Sequence, residues 1–148
     1  MIMFLTSFTF LTALTLTPSP WTTASPPTNT VTIAVDGLHD DQGQVVVRLF
    51  ASRDGFPRNG DKAAHTGTAE IKGGAAEVSF TDLPAGTYAA IAFHDADGDG
   101  ELKTNRIGMP KEGIGASNWT GGRPTFKKSA FTLDDTADVR LPITVQYR

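Results

Sequence analysis

The pattern of apolar and polar positions reads as strands almost throughout. Residues 31–35 (Val-Thr-Ile-Ala-Val) alternate and are rich in β-branched side chains, which predicts a half-buried strand. Residues 44–50 (Gln-Val-Val-Val-Arg-Leu-Phe) are apolar at nearly every position, the pattern of a strand inside a sheet rather than at its edge. Residues 68–72 and 76–81 flank Gly73-Gly74 and predict a hairpin. Residues 88–94 form the next strand, with small Ala89, Ala90 and Ala92 where sheets or loops must approach closely. Residues 127–133 predict another, turned by Asp134, Asp135 and Thr136. Residues 139–147 carry the cleanest period of two: Val139, Leu141, Ile143, Val145 and Tyr147 alternate with Arg140, Pro142, Thr144 and Gln146. Pro142 has no N–H to give to a ladder, so this strand belongs at an edge.

The connections are equally informative. Residues 51–67 hold Gly55, Pro57 and Asn59-Gly60 and predict a long connection, with at most one helical turn at Ala63-Ala64-His65. In Leu83-Pro84-Ala85-Gly86-Thr87-Tyr88, proline fixes φ and glycine permits positive φ, so the chain turns there before re-entering a sheet. Residues 107–125 form a long loop with five glycines and two prolines. A loop of that length inside a small domain is functional or packed on itself. Seven short strands, joined by turns and with no amphipathic helix, predict an all-β fold: an antiparallel two-sheet β-sandwich with one long Gly/Pro-rich loop.

Residues 1–35 carry no charged side chain, and residues 3–16 are mostly apolar. That run suits a signal peptide and is shorter than the ~20 residues of a membrane span. The expected organisation is a signal peptide over residues 1–24, a linker over 25–30 and a single β-sandwich domain over 31–148. No basic residue precedes the apolar run, which departs from the usual signal pattern. The chain has no cysteine, so disulfides and thiolate metal sites are excluded. A net charge of −3, with no basic cluster larger than Lys127-Lys128, argues against a nucleic-acid surface.

Candidate chemistry concentrates directly after the strand at 88–94. Asp95, Asp97 and Asp99 alternate with Gly98 and Gly100 close by, so three carboxylates can converge if the backbone curls. In the order of a calcium loop these are positions one, three and five, with Gly100 at six and the Glu101 carbonyl at seven. The match stops there: position twelve is Arg106, and no helix flanks the loop. Calcium takes six to eight oxygens, so Asn105 and Glu112 are the expected additional ligands. Binding in such a partial cage is expected on the order of 10⁻⁴–10⁻³ M. The alternative is a solvated acidic turn, since Asp-Gly pairs turn a chain without any ion.

Other constellations are thinner. His94-Asp95 with Glu112 gives the outline of a metal-dependent hydrolase, but only His39 and His65 remain as further histidines, both in polar surroundings. No serine lies in a nucleophile elbow. Met109, Trp119 and Phe126, in or beside the long loop, line a small-ligand or glycan site in one reading and the loop's own small core in the other.

Two stretches carry a resemblance. Phe80-Thr81-Asp82-Leu83-Pro84-Ala85-Gly86-Thr87-Tyr88 resembles the signature of transthyretin-like sandwich domains, including the carboxypeptidase regulatory domain, in which a Leu-Pro-x-Gly-x-Tyr turn joins two strands. Residues 88–131, with Ala-Ile-Ala-Phe-His-Asp, the acidic loop, Gly-Met-Pro-Lys-Glu-Gly and Pro-x-Phe-x-x-x-x-Phe, resemble the exported bacterial family known as domain of unknown function 2141. The first resemblance implies a Greek-key, transthyretin-like or Ig-like topology. The second implies export and no established activity. Where that family often has Asp or Asn two residues beyond the position of Glu101, this chain has Lys103, so a metal ligand there is missing.

The combined expectation is a secreted or periplasmic, non-enzymatic binding or structural module. It uses calcium at the acidic loop, meets an unidentified ligand or protein partner at the cell envelope, binds no nucleic acid and is not inserted in the membrane after signal cleavage.

Overall fold

The computed structural model describes residues 29–135 and 138–148. The expected signal peptide over residues 1–24 lies outside the described residues, as does the linker up to residue 28. Within them the fold is all-β: strands β1 (Asn29–Asp36), β2 (Gln44–Phe50), β3 (His65–Glu70), β4 (Ala76–Leu83), β5 (Gly86–Asp95), β6 (Ile114–Ala116), β7 (Ala130–Leu133) and β8 (Val139–Thr144). The only helical pieces among the described residues are a 3₁₀ turn at Gly60–Lys62 and a four-residue helix α1 (Phe126–Ser129). No helix there is long and apolar enough to cross a membrane.

The strands make two sheets. One has the order β4-β1-β8; the other runs β3-β2-β5-β6, with β7 also paired to β5. Alternation on β1 sends Val31, Ile33 and Val35 inward against Val45, Val47 and Leu49 of β2 and Ala90 and Ala92 of β5. These side chains fill the space between the sheets. The outer face of the three-stranded sheet meets water and is polar, with a Thr32–Ser79 hydroxyl contact and an Arg140–Glu77 ion pair at 2.6 Å.

The five-stranded sheet differs. β2 is buried at every position from Val45 to Phe50, and β5 from Tyr88 to Asp95. Both of its faces are therefore covered, as the apolar runs predict. Residues 51–64, 96–113 and 117–129 lie over the outer face, where Leu102 and Trp119 pack on Val46, Phe93 and Ile114 of β6, and Phe56 and Phe126 on Phe50 and Ile91. The protein thus has three layers: sheet, sheet and loops.

Several expectations require correction. The hairpin expected from residues 68–72 and 76–81 is realised only at its turn, where Lys72 and Ala75 form an antiparallel bridge around Gly73-Gly74; beyond it β3 pairs with β2 and β4 with β1, in different sheets. Gly73-Gly74 is a corner between the sheets, held by the Asp41 carboxylate, which accepts from both glycine N–H groups at 2.9 and 2.8 Å. The predicted strand at 127–133 begins with α1 and becomes β7 only at Ala130. The helical turn lies at Gly60–Lys62, and His65 already belongs to β3. An eighth strand, β6, sits inside the Gly/Pro-rich loop. Gly113 and Gly115 flank its first residue because a Cβ there would lie 2.5 Å from Tyr147 and Ile143 respectively. The final strand is at an edge, as Pro142 predicts, but it runs parallel to β1.

The turn into β5 is closed by the Tyr88 hydroxyl, which donates to the Pro84 carbonyl at 2.8 Å. Tyr88→Phe is expected to cost about 1 kcal/mol in urea denaturation, with the far-ultraviolet circular dichroism spectrum unchanged.

Candidate functional site

The acidic loop leaves the end of β5, and strand alternation separates its first two polar residues. His94 points into the space between the sheets, whereas Asp95 points to the outer face. Both are buried. His94 uses both ring nitrogens: Nε2 lies 2.7 Å from the Gln42 carbonyl and Nδ1 2.6 Å from the Tyr147 hydroxyl. A carbonyl only accepts, so Nε2 carries the proton and Nδ1 accepts from tyrosine. The Tyr147 oxygen in turn accepts the His39 N–H at 3.2 Å, and its ring stacks on that of His39. No nitrogen of His94 is left for a metal or a substrate.

Asp95 organises the other face. Its carboxylate accepts from the Gln44 amide of the neighbouring strand at 2.8 Å, from Gly100 N–H at 2.8 Å and from Asp99 N–H at 3.1 Å. Burial alone would raise its pKa. The Gln44 amide and the Gly100 N–H, with smaller contributions from Asp97 and Asp99, outweigh that and hold it below the usual aspartate value. Asp95 is therefore an anion around which the backbone of residues 96–100 is wound.

Arg48 completes this anchor from β2. It is 4% exposed. Its Nη2 donates to the Gly100 carbonyl at 2.8 Å and lies 3.4 Å from the Glu101 carboxylate. Its guanidinium sits over the Phe93 ring at 5.2 Å. On its other side is Gly60, where a Cβ would come within 2.4 Å of the guanidinium carbon. The Gly100 peptide is thus gripped at both ends, its N–H by Asp95 and its carbonyl by Arg48. Sequence reasoning passed over Arg48. The available signal was a single charge within an otherwise apolar strand.

The predicted metal ligands divide. Asp95, Asp97 and Asp99 each bring one oxygen into a group whose members lie within 4.8 Å of one another. That spacing fits a hard cation with oxygens at about 2.3–2.6 Å. The ammonium of Lys103 already lies against two of the three, in contact with Asp97 and 2.9 Å from Asp99. Its pKa is raised by these two carboxylates, Asp97 first. Glu101 turns to Arg48 instead. The Asn105 side-chain oxygen accepts from the N–H groups of Ile107 and Met109, at 3.0 and 2.9 Å, and caps the next turn. Glu112 accepts from Lys103 N–H at 3.3 Å. Its pKa is raised, first by burial and then by the negative charge of Asp95, Asp97 and Asp99, against the lowering effect of that N–H.

The predicted ligand-binding residues also divide. Trp119 and Phe126 pack into the loop layer against the sheet. Met109 instead lines a cavity of about 290 Å³, between the long loop and the outer face, whose wall also includes Ile91, Leu102, Ile114 and Glu112. Met109 and Ile107 are the exposed large apolar side chains among the described residues, and both border this cavity.

Asp95→Asn replaces an acceptor of three hydrogen bonds by a side chain with its own N–H donors. The expected loss at pH 7 is about 2–3 kcal/mol. A lowered folded-state pKa contributes stability above the unfolded value of about 3.9, and this is lost as pH falls through the lower folded value. The gap between variant and wild type should therefore close on acidification below about pH 4. A pH series of urea melts measures it, and an equal gap at pH 3 and pH 7 contradicts the role given to the charge.

No curated protein and no solved structure matches this chain. A family model described as "Uncharacterized protein conserved in bacteria (DUF2141)" matches residues 33–140, from the inner residues of β1 to the start of β8. The match takes in the acidic loop, the cavity loop and the Arg48 anchor, and the chain belongs to that family.

Proposed function

We propose that this protein is an exported, non-enzymatic binding module whose ligand site is the cavity beneath the glycine-rich loop. The observation that carries the reading is the cavity itself. It is largely apolar, has Met109 and Ile107 at its mouth, and stands on a rigid two-sheet scaffold. The apolar run at residues 3–16 supports export. The Leu-Pro-x-Gly-x-Tyr turn, closed by Tyr88 on Pro84, supports a transthyretin-like, Greek-key description of the sandwich. A hydrolase built on His94, Asp95 and Glu112 finds little support, because His94 faces the interior with both nitrogens engaged.

The neutral fluorophore N-phenyl-1-naphthylamine is a suitable probe. It is expected to bind the folded domain saturably at one site, and Met109→Trp, which fills the mouth, should weaken binding at least tenfold without lowering the melting temperature. Fluorescence that fails to saturate, or that ignores Met109→Trp, defeats the reading.

The geometry of the carboxylates favours a second reading, weak calcium binding at the acidic loop. Three converging oxygens are too few for calcium alone, so water or a movement of Glu112 would supply the rest. Lys103 competes for the same position, since its ammonium neutralises Asp97 and Asp99. Lys103→Asn removes that competitor and supplies an oxygen. Calcium should therefore raise the melting temperature of Lys103→Asn more than that of the wild type, and Asp97→Ala should remove the effect in both. Identical melting curves with calcium and with chelator, in the wild type and in Lys103→Asn alike, would sink this reading.

A further inference from the structure

The polar groups around the cavity are mostly of one sign. Arg58, Arg123 and Arg148 contribute to its wall, against the single carboxylate side chain of Glu112. Arg58 donates to the Gly108 carbonyl, and Arg148 donates to the Gly122 carbonyl at 3.1 Å while lying over the Trp119 ring at 5.9 Å. These bonds hold the two guanidinium groups beside the loop without neutralising them. None of the three arginines forms an ion pair among the described residues, and the residues outside that set contain no Asp or Glu. Arg53, Arg106, Lys111, Lys127 and Lys128 likewise form no ion pair among the described residues, so what marks these three arginines is their convergence on one cavity. Arg48 is engaged with Gly100 and Glu101, Arg140 with Glu77 and Lys103 with two aspartates.

A chain of net charge −3 thus brings three unneutralised guanidinium groups, from positions 58, 123 and 148, to one apolar cavity. Such groups present several donors in a plane and suit a carboxylate or similar oxyanion, which can accept two parallel bonds. The rest of the wall, including Ile91, Leu102, Ile114 and Met109, suits an alkyl or aryl body. The volume of about 290 Å³ lies at the small end of ligand sites, which begin at about 300 Å³.

We propose that the cavity takes a small organic acid, with its apolar body against Ile91, Ile114 and Leu102 and its anionic head received by Arg58 and Arg123. This rests on reading the cavity as the ligand site. The carboxylate of Glu112, in the same wall, repels an anionic head and so leaves the arginines to receive it.

The test compares octanoate with octan-1-ol as competitors of N-phenyl-1-naphthylamine on the full chain. Octanoate is expected to displace the probe at a concentration at least tenfold lower than octan-1-ol. Raising the salt from 50 to 500 mM should shrink that preference. Arg58→Gln and Arg123→Gln should each reduce it severalfold, and the double variant should bring it close to one. Melting temperatures would show that the variants are folded. Equal displacement by the two competitors, or a preference unchanged in the double variant, overturns the anion assignment while leaving the cavity as an apolar site. A probe that does not bind at all overturns the cavity reading and this proposal with it.

Discussion

The constraint on which the rest depends is the two-sided burial of β2 and β5. A strand that is apolar on one face needs one partner layer, whereas these two are apolar on both. The three-stranded sheet covers only the inner side. The outer side would expose Val46, Phe50, Ile91 and Phe93, so the chain supplies a third layer from its connections. This is why the connections carry Phe56, Leu102, Trp119 and Phe126, and why glycine is needed where the chain around β6 passes close to β8. The cavity forms within that cover, where loops rather than regular elements close over the sheet.

Covering a sheet with loops leaves backbone polar groups to satisfy, and the acidic loop meets this with a buried ion on either side. Asp95 accepts the N–H groups of residues 99 and 100, and Arg48 donates to the carbonyl of residue 100. Neither side chain is stabilising merely because it is buried, since removing a charge from water costs several kcal/mol. Each is compensated by bonds that exist only when the loop is in place. Arg48 is compensated incompletely, because its Nε and Nη1 find no protein partner and face the Phe93 ring and Gly60. The gain is in positional definition: the start of the loop is fixed relative to β2 and β5, and with it the approach to the cavity.

The local features were legible in the sequence and the long-range ones were not. The interior location of β2 and the edge location of β8 follow from uninterrupted apolarity and from Pro142, which are properties of single segments. The assignment of β3 and β4 to different sheets depends on pairings with β2 and β1. The glycine pair does make the tight turn its sequence predicts, bridged by Lys72 and Ala75, but the strands part beyond it, and the Asp41 carboxylate that holds the turn is 32 and 33 residues away from the two glycines. The three aspartates were visible because their spacing is local. The diversion of Glu101 to Arg48 and of Asn105 to its own turn depends on where the loop folds back. Lys103 could be seen as a missing ligand, but its position against Asp97 and Asp99 arises only once the loop has curled. The arginines around the cavity, at positions 58, 123 and 148, share no pattern at all along the chain.

The acidic loop and the cavity are also linked electrostatically, through Glu112. Its side chain is half-buried in the cavity wall, yet it feels Asp95, Asp97 and Asp99 and bonds to the backbone of Lys103. Burial and those three carboxylates both favour its protonated form. Positive charge added at the triad acts in the opposite sense and favours the carboxylate, as a nearby cation does for any carboxyl group. In this chain part of that charge is built in, because the Lys103 ammonium is covalently fixed where a diffusible ion would have to be captured from solution. A tethered cation carries one charge and needs no particular ion concentration, whereas calcium carries two and comes and goes with its supply. The Lys103 ammonium thus acts on the potential around the triad and Glu112 as well as occupying space between Asp97 and Asp99. The carboxylate of Glu112 and the arginines at positions 58, 123 and 148 therefore share one cavity wall, and the charge of the former is tied to the acidic loop by the fold itself.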